Sequence, residues 1–77
     1  MKTVKVSLNA YDKIKSFVNL LTKFDADFDL TSGRYVVDAK SIMGIFSLDL
    51  SKPINMNIYA EEGLEEILTA LAPYIVE

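Results

Sequence analysis

The chain has 77 residues with no cysteine and no histidine, and its hydrophobic fraction is 51%. That length suits one small domain spanning residues 1–77, held by apolar burial, since disulfides and thiolate or imidazole metal sites are both excluded. Eight basic against eleven acidic side chains give a net charge of -3, unsuited to general attraction for DNA or RNA, and no run approaches the roughly 18 apolar residues of a membrane span.

The opening Met1-Lys2-Thr3-Val4-Lys5-Val6 lacks the apolar block of a secretory signal, and a reducing cytoplasm is the expected setting. Val4, Val6 and Leu8 alternate with Thr3, Lys5, Ser7 and Asn9, the period of a strand with one buried face. Ile14, Phe17, Val18, Leu21 and Phe24 then fall at helical spacing, with Leu20 at the edge of the stripe and Asn9 or Asp12 available as the cap. From Ala26 the period returns to two: Phe28 and Leu30 against Asp27, Asp29 and Thr31, then the turn pair Ser32-Gly33, then Tyr35-Val36-Val37. These two runs are expected to form an antiparallel hairpin.

Ser41 precedes a short apolar segment of Ile42, Met43, Ile45 and Phe46, long enough for about two helical turns, in which Gly44 weakens the helix. Pro53 opens a fourth strand with Ile54, Met56, Ile58 and Ala60 on one face and Asn55, Asn57 and Tyr59 on the other. Glu61 and Glu62 are placed near the start of a last helix, whose buried face is Leu64, Ile67, Leu68 and Leu71. Pro73 ends it around Leu71 or Ala72, leaving Tyr74-Ile75-Val76 less regular. The order β-α-β-β-α-β-α predicts an α+β fold, helices on one side of an antiparallel sheet.

The segment from Ala39 to Asp49, above all Lys40 to Leu48, resembles the stretch around the regulatory serine of HPr, the phosphocarrier of the bacterial phosphoenolpyruvate-dependent sugar phosphotransferase system. Lys23-Phe24-Asp25-Ala26-Asp27 and Ile58-Tyr59-Ala60-Glu61 resemble two further family segments. The resemblance implies the family's open-faced β-sandwich, with a four-stranded antiparallel sheet and three helices. It also implies a phosphoryl-accepting histidine just before the first helix, in a motif Gly-Leu-His-Ala-Arg-Pro-Ala. The best-matching frame puts Ala10 at the histidine, Asp12 at the arginine and Lys13 at the proline. Alanine offers no nucleophile, and Asp12 sets a negative charge where a phosphoryl group needs a positive one.

Ser41 reads as a helix cap from its position, and by resemblance as the serine that an HPr kinase phosphorylates. Apolar residues at helical spacing usually mean core, yet the family's short helix exposes a docking patch, which carries over to Ile42, Met43 and Phe46. Met43 and Phe46 are its main contacts; Ile45 and Leu48 are assigned to the core. Asp25, Asp27 and Asp29 read as a solvated strand face, with no metal and no cofactor expected. Tyr11 and Asp12 lack a base that would make them phosphate acceptors, and Lys13 and Lys15 serve either solubility or a partner's acidic surface.

The leading expectation is a Crh-like, non-enzymatic regulatory or interaction module of the phosphotransferase network, with an HPr kinase or a transcriptional regulator as partner and neither nucleic acid nor membrane. The alternatives are a phosphocarrier component using an atypical residue, and a diverged association domain of another pathway.

Overall fold

The computed structural model describes residues 1–76; Glu77, the end of the expected domain, lies outside the described residues. Its elements are β1 (Lys2–Val6), α1 (Tyr11–Leu21), β2 (Asp27–Ser32), β3 (Tyr35–Asp38), α2 (Ile42–Phe46), β4 (Ile54–Tyr59) and α3 (Leu64–Leu71). This is the element order predicted from periodicity.

The four strands form one antiparallel sheet in the order β1-β4-β2-β3. Alternation decides its two faces. Val4 and Val6, Phe28 and Leu30, and Ile54, Met56 and Ile58 are buried on one side, in the same cluster as Ile14, Phe17 and Leu21 of α1, Ile45 of α2, and Ile67 and Leu71 of α3. The other face is open and polar. There Thr3 Oγ1 donates to Asn57 Oδ1 (2.7 Å), Asn57 Nδ2 donates to Asp29 Oδ1 (2.7 Å) and the Tyr59 hydroxyl donates to Asp29 Oδ2 (2.9 Å), linking β1, β4 and β2.

Glycine sets two junctions. The β2–β3 loop is Gly33-Arg34, one residue later than predicted, because Ser32 already pairs with Tyr35 and only Gly33 has the positive φ (60°) that a two-residue loop requires. Gly63 takes φ 72° as the N-cap of α3, which therefore starts at Leu64 and carries Glu65 and Glu66 in its first turn. Glu61 and Glu62, expected to fill that role, lie before the helix.

The buried face of α3 is narrower than its sequence stripe: Ile67 and Leu71 are buried, whereas Leu64 and Leu68 are half-buried. A helix lying on one side of a small sheet covers only the centre of its stripe. For the same reason Val18 of α1 is half-buried; Phe24 lies beyond the end of α1 and packs partly against the core. Ala60, predicted as a fourth buried residue of β4, lies past its last residue and is half-buried. The helix of α3 ends at Leu71, as Pro73 requires, and the chain returns along β1: Ser7 N–H donates to the Tyr74 carbonyl (2.9 Å), Val76 N–H to the Lys5 carbonyl (2.9 Å), and Val6 bridges Ile75. Tyr74 also meets Phe17 edge to face, ring centroids 5.3 Å apart.

Candidate functional site

The site is built where the start of α1 meets α2. Ala10 is the N-cap of α1, with extended backbone (φ -143°, ψ 144°) and no side-chain cap. Neither Asn9 nor Asp12 caps the helix as expected: the first turn closes through Ile14 N–H to the Ala10 carbonyl (3.0 Å), which leaves Asn9 outside and Asp12 inside the first turn. Asp12 there suits the helix dipole. Ala10 and Asp12 are both exposed, so position 10 presents a methyl group to solvent beside a carboxylate.

Tyr11, the first residue of α1, stacks on Phe46, the last of α2, with centroids 5.7 Å apart and an interplanar angle of 19°. Lys15 Nζ stands 5.5 Å from the Tyr11 ring centroid on the next turn of α1. Tyr11 is not among the residues of the apolar patch expected from the sequence. The signal was present, since Tyr11 stands three residues before Ile14 and continues that helix's stripe beyond the core.

Ser41 caps α2 as predicted, with extended backbone and its Oγ accepting from Gly44 N–H at 3.2 Å. It is half-buried. The helix is five residues long, shorter than the two turns expected. Gly44 weakens so short a helix, and a Cβ there would stand 3.2 Å from Val37 Cβ and 3.3 Å from Ser41 Oγ. Its lack of a side chain lets α2 lie close on β3 while the cap forms. Ser47 closes the other end, its hydroxyl donating to the Gly44 carbonyl at 2.6 Å.

Three candidate docking residues separate by exposure. Met43 is 78% exposed and Phe46 43%, three residues apart on one side of α2, while Ile42 is half-buried and packs against the core. Ile45 and Leu48 are buried, as assigned from the sequence. Lys40, just before Ser41, is held away from it: its Nζ donates to the Phe24 carbonyl (3.2 Å) and lies 5.5 Å from the Phe28 ring centroid.

The acidic residues lie elsewhere. Asp29 belongs to the open-face network, and its acceptance of the Tyr59 hydroxyl, followed by desolvation and charge repulsion, raises the Tyr59 pKa. Asp25 and Asp27 line a shallow depression with Tyr59, Glu61 and Glu62. Among the described residues, no group of three or more His, Cys, Asp or Glu side chains is placed to hold a metal ion. In the loop before β4, Ser51 donates to Asp49 through both hydroxyl (2.6 Å) and backbone N–H (3.1 Å), which holds the Asp49 carboxyl below its ordinary range.

These features define an α+β open-faced sandwich whose first and second helices share an aromatic surface. Residues 12–77 match the family described as PTS HPr component phosphorylation site, and the chain belongs to that HPr family of the phosphotransferase system. The match begins two residues beyond Ala10. Among solved structures, HPr-C-His from Thermoanaerobacter tengcongensis is 28% identical with a TM-score of 0.77, covering 95% of this chain and 89% of its own. The phosphocarrier protein HPr of Bacillus anthracis str. Ames is 34% identical with a TM-score of 0.70, covering 96% of this chain and 93% of its own. A histidine-containing phosphocarrier protein of Mycoplasma, 12% identical with a TM-score of 0.69, covers 94% and 86% and shares the fold. No curated protein matches.

Proposed function

We propose that this chain is a non-catalytic HPr-like module of the phosphotransferase network, read by protein partners through Ser41 and the surface of Met43 and Phe46. The carrying observation is a contrast inside one family member. The chain has no histidine and Ala10 caps α1, while Ser41 keeps its place at the head of α2 beside an exposed methionine and aromatic. An alanine beside a carboxylate can neither accept nor stabilise a phosphoryl group, whereas an exposed Met and Phe make an adaptable apolar contact. Ile42 contributes only the edge that the core leaves uncovered.

The partner in this reading is an HPr kinase or a transcriptional regulator of a Crh-like pathway. Asp12 in place of the arginine weakens the case for the regulator relative to the kinase. Phosphorylation of Ser41 adds about -1.5 to -2 charges, and the phosphate oxygens can replace the hydroxyl as acceptors for Gly44 N–H, so the surface changes without loss of the fold. A cytoplasmic setting is part of the same proposal; no helix among the described residues is long and apolar enough to cross a membrane.

The test is incubation with ATP and an HPr kinase, read by intact-mass and fragment mass spectrometry. One phosphate on Ser41, lost in Ser41→Ala, is expected. Phosphate on Ser47, or none, would remove Ser41 from the account.

A further inference from the structure

The sheet has two edge strands, and they are treated differently. The outer edge of β1 is closed at one end by the returning chain, through Val76 N–H to Lys5 and the Val6–Ile75 bridge. No such segment lies along β3 among the described residues. Ser32 and Tyr35 flank the two-residue loop and so form the hydrogen-bonded pair that closes it, which makes the next pair, Thr31 and Val36, a non-hydrogen-bonded one. The backbone N–H and C=O of Val36 therefore point away from β2. At this edge Tyr35 is 66% and Val36 65% exposed.

We propose that β3 pairs with β3 of a second copy of this chain, antiparallel and centred on Val36, so that one sheet continues through both copies. In that register Val36 meets Val36 of the second copy, Arg34 meets Asp38 of the second copy, and Asp38 meets Arg34 of the second copy. Val36 and Asp38 lie on the open face, opposite Thr31 and Asp29 in their own sheet, and Arg34 is the exposed loop residue that leads into the strand. The strand is thus its own complement in charge as well as in backbone pattern. A register shifted by one residue would set Val36 against Val37 and lose both charge pairs.

A second observation favours the same occupant. Asp38 stands directly opposite Asp29 within its own sheet, two carboxylates in a cross-strand pair. Asp29 is supplied by Asn57 and Tyr59, whereas the hydrogen bond Asp38 accepts on its side chain comes from the Lys40 backbone N–H (2.9 Å). An arginine arriving from the second copy provides the missing cation. On the helix side Tyr35 comes opposite Val37 of the second copy. Four residues of strand and one central apolar pair make the dimer weak and concentration-dependent.

Sedimentation equilibrium of the full chain from micromolar to millimolar concentration, with amide exchange at Val36, tests this. The unaltered chain should dimerise, with Val36 N–H gaining protection as concentration rises. Arg34→Asp alone and Asp38→Arg alone should each weaken the dimer about tenfold or more. An equimolar mixture of these two variants should associate as tightly as the unaltered chain, because every Arg34–Asp38 contact is then again between opposite charges; recovery also shows that both variants are folded. Val36→Lys, which sets two ammonium groups at the axis, should leave a monomer. A monomer at all concentrations, including one whose edge binds only some other strand, overturns the proposal. So does a dimer indifferent to the charge variants, or protection appearing at β1 instead.

Discussion

Tyr11 and Phe46 stack at 5.7 Å, so the residue after Ala10 and the last residue of α2 form one surface. The contact ties the start of α1 to α2, the helix whose exposed Met43 and Phe46 are the proposed docking residues.

Phe46→Ala should therefore weaken kinase docking while the protein stays folded. Its side chain is partly exposed, so the loss of stability should fall well short of the about 3–5 kcal/mol typical of a buried phenylalanine. Denaturant unfolding and a kinase binding curve measure the two effects separately. Unfolding of the variant would assign Phe46 to the core instead.

Leu71→Ala should cost about 2–5 kcal/mol, because the side chain is fully buried in the common core. Leu68→Ala should cost clearly less, since Leu68 is half-buried on the flank of the same helix. Equal losses in urea titrations would contradict the placement of α3.

The strand faces were legible because each residue's direction follows from its own strand, while the division of α2 into buried Ile45 and exposed Met43 and Phe46 followed from the family resemblance and not from spacing. What the sequence hid depends on neighbours. Leu64 and Leu68 fall on the same stripe as Ile67 and Leu71, and only the width of the sheet decides which pair is covered. The start of α3 is set by the left-handed Gly63, not by the charge of Glu61 and Glu62. The missing side-chain cap on α1 had no local signal, since Asn9 and Asp12 are both good capping residues, standing one position before and two positions after the cap. At the site, the cap at Ser41 was readable from position, but the Tyr11–Phe46 contact joins residues far apart in the chain.

Tyr59 supplies a pH-dependent test of the open face. Its neutral hydroxyl donates to Asp29, and the phenolate would instead face a carboxylate, so its pKa is raised. The sign follows: the contribution of this contact is in place below the unfolded tyrosine value of about 10 and is lost as pH rises through the raised folded value. Asp29→Asn should bring the Tyr59 pKa down, as followed by the ring-carbon chemical shifts through alkaline pH. An unchanged titration would mean that the Tyr59–Asp29 hydrogen bond does not persist in solution.

The proposed non-catalytic role means that this HPr family member carries no phosphoryl group through its first helix. Its most direct test is to incubate the protein with phosphoenolpyruvate and the first enzyme of the phosphotransferase system, beside a histidine-containing HPr in the same tube, and to measure acid-labile phosphate on each. Phosphate is expected on the HPr alone, and still little on the Ala10→His variant, because Asp12 remains in the same first turn as the introduced imidazole. Stoichiometric transfer to the unaltered chain would contradict it.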